Sequence, residues 1–170
     1  VFKLFRTYTP LVEGLSVDEA FLDIGGLRRH FDSSQAVASM IRAEVRSRLG
    51  LPCSVGVAHS KFVAKLASAA AKPDGILVVP LSEEIEFVHS RSLSDLWGVG
   101  PATLAALARI GIATVSELAA VDLGTLSRSL GDSLARHLHD LALAIDHRPV
   151  VPESETKSIS AEETFITDLI

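Results

Sequence analysis

The pattern of apolar residues changes at Pro80, and that change limits what this chain can fold into. Before it, short apolar runs alternate with helical periods; from there to about residue 146 every apolar period is helical and short. The first part therefore predicts a sheet with helices on one face, and the second a small all-helical unit. With 170 residues, 48% of them hydrophobic and 22% charged, the chain can bury a core and is not a disordered segment.

In the first part, residues 7–12 and 17–24 predict two strands around Glu13-Gly14. Asp32, Ser33 or Ser34 can cap a helix reaching Leu49, with Val37, Ile41, Val45 and Leu49 on one stripe and Gly50 as its stop. A strand is expected over 53–58, then a helix capped by Ser60 and running to Ala71. Its inward positions are Phe62, Val63, Leu66, Ala67 and Ala70. Lys72-Pro73-Asp74-Gly75 has type I turn chemistry, and Ile76 to Val79 is a further strand. In the second part, Pro101 opens a helix after Gly98-Val99-Gly100, Thr114 to Glu117 is a capping box, and Asp132 can cap a last helix. The expected division is 1–80, 81–148, a tether over 149–160 rich in Pro and charge, and a further element begun at 161–170.

Lys plus Arg is 16 and Asp plus Glu is 21, a net charge of −5, so nucleic-acid binding would have to be local. Cys53 is the one cysteine, which excludes an internal disulfide framework and fits a reducing cytoplasm. The longest apolar runs are far short of the roughly 20 residues a membrane helix needs. The chain opens without Met and closes on a strand-like run at Thr164-Phe165-Ile166, so it is expected to be a fragment.

Three groups of residues carry chemistry. Asp18 and Glu19 are adjacent carboxylates beside apolar residues, and a divalent cation would offset the cost of placing them there. Strand alternation sends neighbours to opposite faces, so both can reach one ion only at a strand end or bend, which Gly14 to Ser16 permits. Taken alone, such a pair is usually solvated. Lys61, Lys65 and Lys72 put three positive charges and no acid into residues 61–72, a set suited to polyphosphate. Taken alone, this too is usually a solvated face. Gly98, Val99 and Gly100 before Pro101 form a backbone hairpin able to approach a DNA phosphate without reading bases, although Pro101 to Ala108 has no Lys or Arg. The same turn also serves for packing alone. The six histidines form no ligand pattern.

Together these segments resemble the Y-family translesion DNA polymerases of the DNA polymerase IV type. The residues that carry the resemblance are Gly14-Leu15-Ser16-Val17-Asp18-Glu19-Ala20-Phe21-Leu22-Asp23, Cys53 to Ala58 followed by Lys61 to Ser68, and Ala71 to Gly75. Leu96 to Ala119 is similar to the family's thumb hairpin, and Arg148-Pro149-Val150 with Lys157 to Ser160 and Glu162 to Phe165 to its tether and little finger.

The resemblance implies an α+β fold: part of a polymerase palm, with a mixed or antiparallel sheet, followed by a helix-hairpin-helix thumb. It implies template-directed transfer of a nucleotide from a dNTP to a primer 3′-hydroxyl across damaged DNA. Asp18 and Glu19 would hold two Mg²⁺ ions, with Mn²⁺ as a substitute. Lys72 would contact the triphosphate, and Lys61, Lys65 and the Gly98–Gly100 hairpin would contact template–primer DNA. A sliding clamp is a further candidate partner, as is a second copy through an exposed palm edge. The family also carries a third metal-binding Asp on an early strand and a nucleotide lid, for which residues 1–12 offer no pattern, and Ala144 stands where a Gly is common. The chain alone is therefore expected to be inactive. The alternatives are a non-enzymatic helix-hairpin-helix DNA-binding module and an adaptor in a repair complex.

Overall fold

A computed structural model describes residues 1–29 and 31–152. The calls on 153–170, the end of the tether and the start of the little finger, lie outside the described residues. The elements run α1 (Phe2–Phe5), β1 (Val12–Gly14), β2 (Ala20–Leu22), α2 (Ser34–Leu49), β3 (Val55–Val57), α3 (Lys61–Ala70), β4 (Ile76–Val78), α4 (Glu84–His89), α5 (Pro101–Arg109), α6 (Val115–Ala120), α7 (Leu123–Leu130) and α8 (Asp132–Ala142). This is the mixed α+β order read from the sequence, with helices alone after Pro80 among the described residues. Two findings refine it. The strands form two separate two-stranded sheets: β1 antiparallel to β2, with Val12 opposite Leu22, and β3 parallel to β4, with Val55 opposite Ile76. The first strand lies at 12–14 rather than 7–12, because residues 2–5 coil into α1 and place Leu4 and Phe5 inside.

Local chemistry explains the ends of the helices. Ser33 accepts the Ala36 N–H at the start of α2, and Gly50 closes that helix at φ 66°, a left-handed position that costs glycine little. Thr114 and Glu117 form the expected capping box. Asp132 does not cap α8; it is the first helical residue after Gly131. The turn at 72–75 is not type I, because Asp74 sits at φ 54°. Asp74 is held there by Arg42 (3.0 Å), by Arg46 and by the Cys53 N–H (3.1 Å). Its short side chain tolerates the left-handed region.

Two apolar clusters result. One gathers Leu4, Phe5, Val12, Val37, Ile41 and Val45 between α1, β1 and α2. Leu49, read as the end of this stripe, is exposed. The larger cluster joins Phe62, Val63, Leu66 and Ala67 of α3 to Leu107, Val115, Leu118, Leu126, Leu138 and Leu141 of the helical part. Ala70 lies outside it, exposed. The core therefore runs across the pattern change at Pro80, and α3 is the helix that both halves share.

α3 lies unusually close to β3. A Cβ on Gly56 would fall 2.1 Å from the Ala64 carbonyl oxygen and 2.2 Å from the Ser68 nitrogen. Only a residue without a side chain permits this approach, so Gly56 sets the height of α3 over the strand.

Candidate active site

The site is built where the β1–β2 hairpin meets α3. The loop of the hairpin is closed by the Leu15 and Ser16 N–H groups, which both donate to the Glu19 carbonyl (2.9 and 3.2 Å). Asp18 and Glu19 thus stand at a bend before β2, not within the strand, which removes the opposite-face objection to a shared ligand. The Ser16 hydroxyl donates to Asp18 Oδ1 at 2.6 Å. That hydrogen bond, with its backbone N–H and the fields of Lys72 and Lys65, holds the Asp18 carboxyl below its ordinary range although it is fully exposed. Asp18 is therefore ionised and open to solvent. Val17 beside it is 94% exposed.

α3 presents Lys61 and Lys65 one turn apart, as their i, i+4 spacing predicts. The Lys65 ammonium pairs with Glu19 Oε1. The Lys61 ammonium donates to both oxygens of Glu13 (2.9 and 2.8 Å) and sits 5.4 Å from the centre of the Phe21 ring. Only 11% of the Lys61 side chain is exposed. Lys61, expected to contact DNA, thus has its ammonium paired to Glu13 in this structure. Glu13 was not singled out by sequence reasoning. Burial pushes its carboxyl up, but the Lys61 hydrogen bond, the Val151 N–H (2.8 Å) and the charges of Lys61 and Arg148 outweigh burial and hold it below its usual value.

The turn at 96–101 leads directly into α5. Gly98 adopts φ 91°, Gly100 is extended and open on its Cβ side, and Pro101 is the first residue of α5. Gly98 and Gly100 are exposed and Val99 is half-buried. Trp97 turns back from this hairpin to meet Phe21 of β2 edge-on (6.1 Å between centroids) and Phe62 of α3 (6.0 Å). The sequence gives no sign of this joint, because neither aromatic partner is near in the chain.

The donor set suits a hard divalent cation. Two adjacent carboxylates, one open to solvent and ionised, match the preference of Mg²⁺ for one or two carboxylates plus water and phosphate oxygens. Among the described residues no three His, Cys, Asp or Glu side chains come together as a metal-binding group.

Residues 1–69 match the family described as impB/mucB/samB. The chain is 44% identical to DNA polymerase IV of Streptomyces coelicolor over 99% of its own length and 36% of that protein's. It is also 44% identical to DNA polymerase IV of Alkalilimnicola ehrlichii, over 98% of this chain and 46% of that protein. The insertion ternary complex of Dbh DNA polymerase superposes with a TM-score of 0.80 at 25% identity, over 88% of this chain and 44% of that one. DinB from Sulfolobus solfataricus gives 0.77 at 26%, over 87% and 44%. The chain belongs to the Y-family. It spans about a third to a half of the length of the curated relatives it matches. The Y-family likeness runs through the hairpin, α3 and the helical part alike. The mixed α+β fold is that of the Y-family palm and thumb region. No helix among the described residues is long and apolar enough to cross a membrane.

Proposed function

We propose that this chain is the carboxylate-bearing part of a palm, over about 1–80, and the thumb, over about 81–148, of a template-directed DNA polymerase. The polymerase would transfer nucleotides from dNTP to a primer 3′-hydroxyl across damaged template. The observation that carries the reading is an exposed, ionised Asp18 next to Glu19 at one bend, with the Lys65 ammonium paired to Glu19. The curated relatives named DNA polymerase IV and the DNA polymerase ternary complexes of the same fold support it.

Asp18 and Glu19 would hold two Mg²⁺ ions, or Mn²⁺ in their place. When bound, the ions would activate the primer hydroxyl and neutralise the departing pyrophosphate. Lys72, whose charge helps to lower the Asp18 carboxyl, would contact a triphosphate bound at that carboxylate. Lys65 can move from Glu19 to nearby phosphate. The Gly98–Gly100 hairpin and the start of α5 offer backbone N–H groups to a DNA phosphate, as a helix-hairpin-helix does. The 170 residues alone, with two metal-binding carboxylates, are proposed not to extend a primer.

The test is primer extension with Mg²⁺ by the full-length protein, by this chain and by the full-length Asp18→Ala variant. The reading predicts synthesis by the full-length protein only, and a fall of about a thousandfold in the variant, the several kcal/mol that a lost metal ligand removes. Unaltered synthesis by Asp18→Ala would overturn it. Duplex binding indifferent to both Mg²⁺ and Asp18, without synthesis, would point to a binding module.

A further inference from the structure

Asp146 has no part in the chemistry above, yet it is among the most covered carboxylates near it, with 3% of its side chain exposed. It follows α8 and turns back onto α3. Asp146 Oδ2 accepts the Phe62 N–H at 3.0 Å, so a residue from the end of the helical part caps the helix that carries Lys65. Ser60 takes the next free N–H, that of Val63. Arg148 grips the same carboxylate through Nε to Oδ1 (2.7 Å), Nη2 to Oδ2 (3.0 Å) and its own backbone N–H to Oδ1 (3.2 Å).

The guanidinium of Arg148 then lies 4.4 Å from the centre of the Trp97 ring, on the residue that opens the glycine hairpin. Trp97 is held on its other sides by Phe21, two residues beyond Glu19, and by Phe62. His137 of α8 fixes its carbonyl through a 3.2 Å contact. Each group thus has a partner outside its own segment: Asp146 on α3, Arg148 on the hairpin, Trp97 on β2 and α3. The three tie the carboxylate strand, the lysine helix and the hairpin to one another.

Resting on the polymerase reading, we propose that Asp146, Arg148 and Trp97 are positioning residues. They form a brace that fixes the Gly98–Gly100 hairpin relative to Asp18 and Glu19, and so fixes where a primer end held by the hairpin meets the metal-binding carboxylates. An aromatic face under a guanidinium already paired to a carboxylate suits this task, because a planar, bidentate cation has few other orientations to adopt. Misplacement by about an ångström can cost up to a hundredfold in rate, so a brace is worth having.

The test uses the full-length protein with spin labels at Val17, in the carboxylate loop, and Ala105, on the exposed side of α5, with Cys53 replaced by Ser. Arg148→Ala is expected to broaden the distance distribution between the labels. In the unlabelled protein it is expected to lower the single-turnover rate at saturating dNTP by about tenfold or more, with KM for dNTP changed less than about twofold. Arg148→Lys, which keeps a cation over the ring but not the paired contacts with Asp146, is expected to fall between, and stands in should Arg148→Ala fail to fold. An unchanged distribution in both variants overturns the brace. A broadened distribution with wild-type rate per active molecule overturns the positioning role and leaves a packing contact. Should the wild type itself synthesise nothing, the polymerase reading fails and takes the positioning role with it. The label distances then still report whether the brace exists.

Discussion

Lys61 and Lys65 stand one helical turn apart on α3, and each meets a glutamate of the same β1–β2 hairpin. The two pairs are nonetheless different objects. Lys61 and Glu13 share two contacts, and the Glu13 carboxylate also takes the Val151 N–H and feels Arg148. Lys65 and Glu19 share one contact at the mouth of the loop, with 26% and 38% of their side chains exposed. Identical residue types on one helix and one hairpin thus yield a structural tie and a site pair. What separates them is the third group that reaches the carboxylate: the chain beyond α8 closes over Glu13, and nothing comparable reaches Glu19 among the described residues.

The comparison can be broken at its base. Gly56→Ala should push α3 off β3 and disturb both pairs together, costing on the order of 3 kcal/mol or more, because backbone rather than a flexible side chain stands in the way. Thermal denaturation checks this, and a loss under about 1 kcal/mol would show that α3 is not seated by that contact. Removing Lys61 sharpens the contrast: Lys61→Ala leaves a largely covered carboxylate without its cation and should cost about 1–3 kcal/mol in chemical denaturation.

Acid should act on the same side of the comparison. Glu13 and Asp146 are both held below the ordinary carboxylate range in the fold. Burial alone would raise each of them, and their hydrogen-bonding and charged partners reverse the sign. A carboxyl depressed in the fold stabilises above its unfolded value, and that stability is lost as pH falls through the folded one. The protein should therefore hold its stability down to about pH 5 and lose it progressively below that, with a smaller loss in Glu13→Gln. An equal acid loss in that variant would remove Glu13 from the account. The smallest effect is expected at the other pair: Lys65→Ala should change stability by less than about 0.5 kcal/mol, as for a partly exposed ion pair.

Much of this was legible in the sequence, because local rules govern it. The helices at 34–49 and 61–70, the Ser60 and Thr114 caps, the glycine hairpin and the Asp18-Glu19 bend all follow from periodicity, caps and turn chemistry. The short α1 was hidden because four residues carry too little period to read. The turn at Asp74 was misread because its shape is set by Arg42 and Arg46 from another helix. Glu13, Trp97 and Asp146 were missed for the same reason: their partners lie 48, 76 and 84 residues away, at Lys61, Phe21 and Phe62. No pattern along the chain marks a contact of that span.

The most direct test of the two-pair account places Glu13→Gln and Glu19→Gln side by side in the full-length protein, with unfolding free energy and primer extension per folded molecule measured for each. The account predicts a crossed result. Glu13→Gln should lose about 1–2 kcal/mol of stability and keep its synthesis within a few-fold, and Glu19→Gln should keep its stability and lose synthesis by about a hundredfold or more. Parallel losses in the two variants, or synthesis untouched in Glu19→Gln, would contradict it.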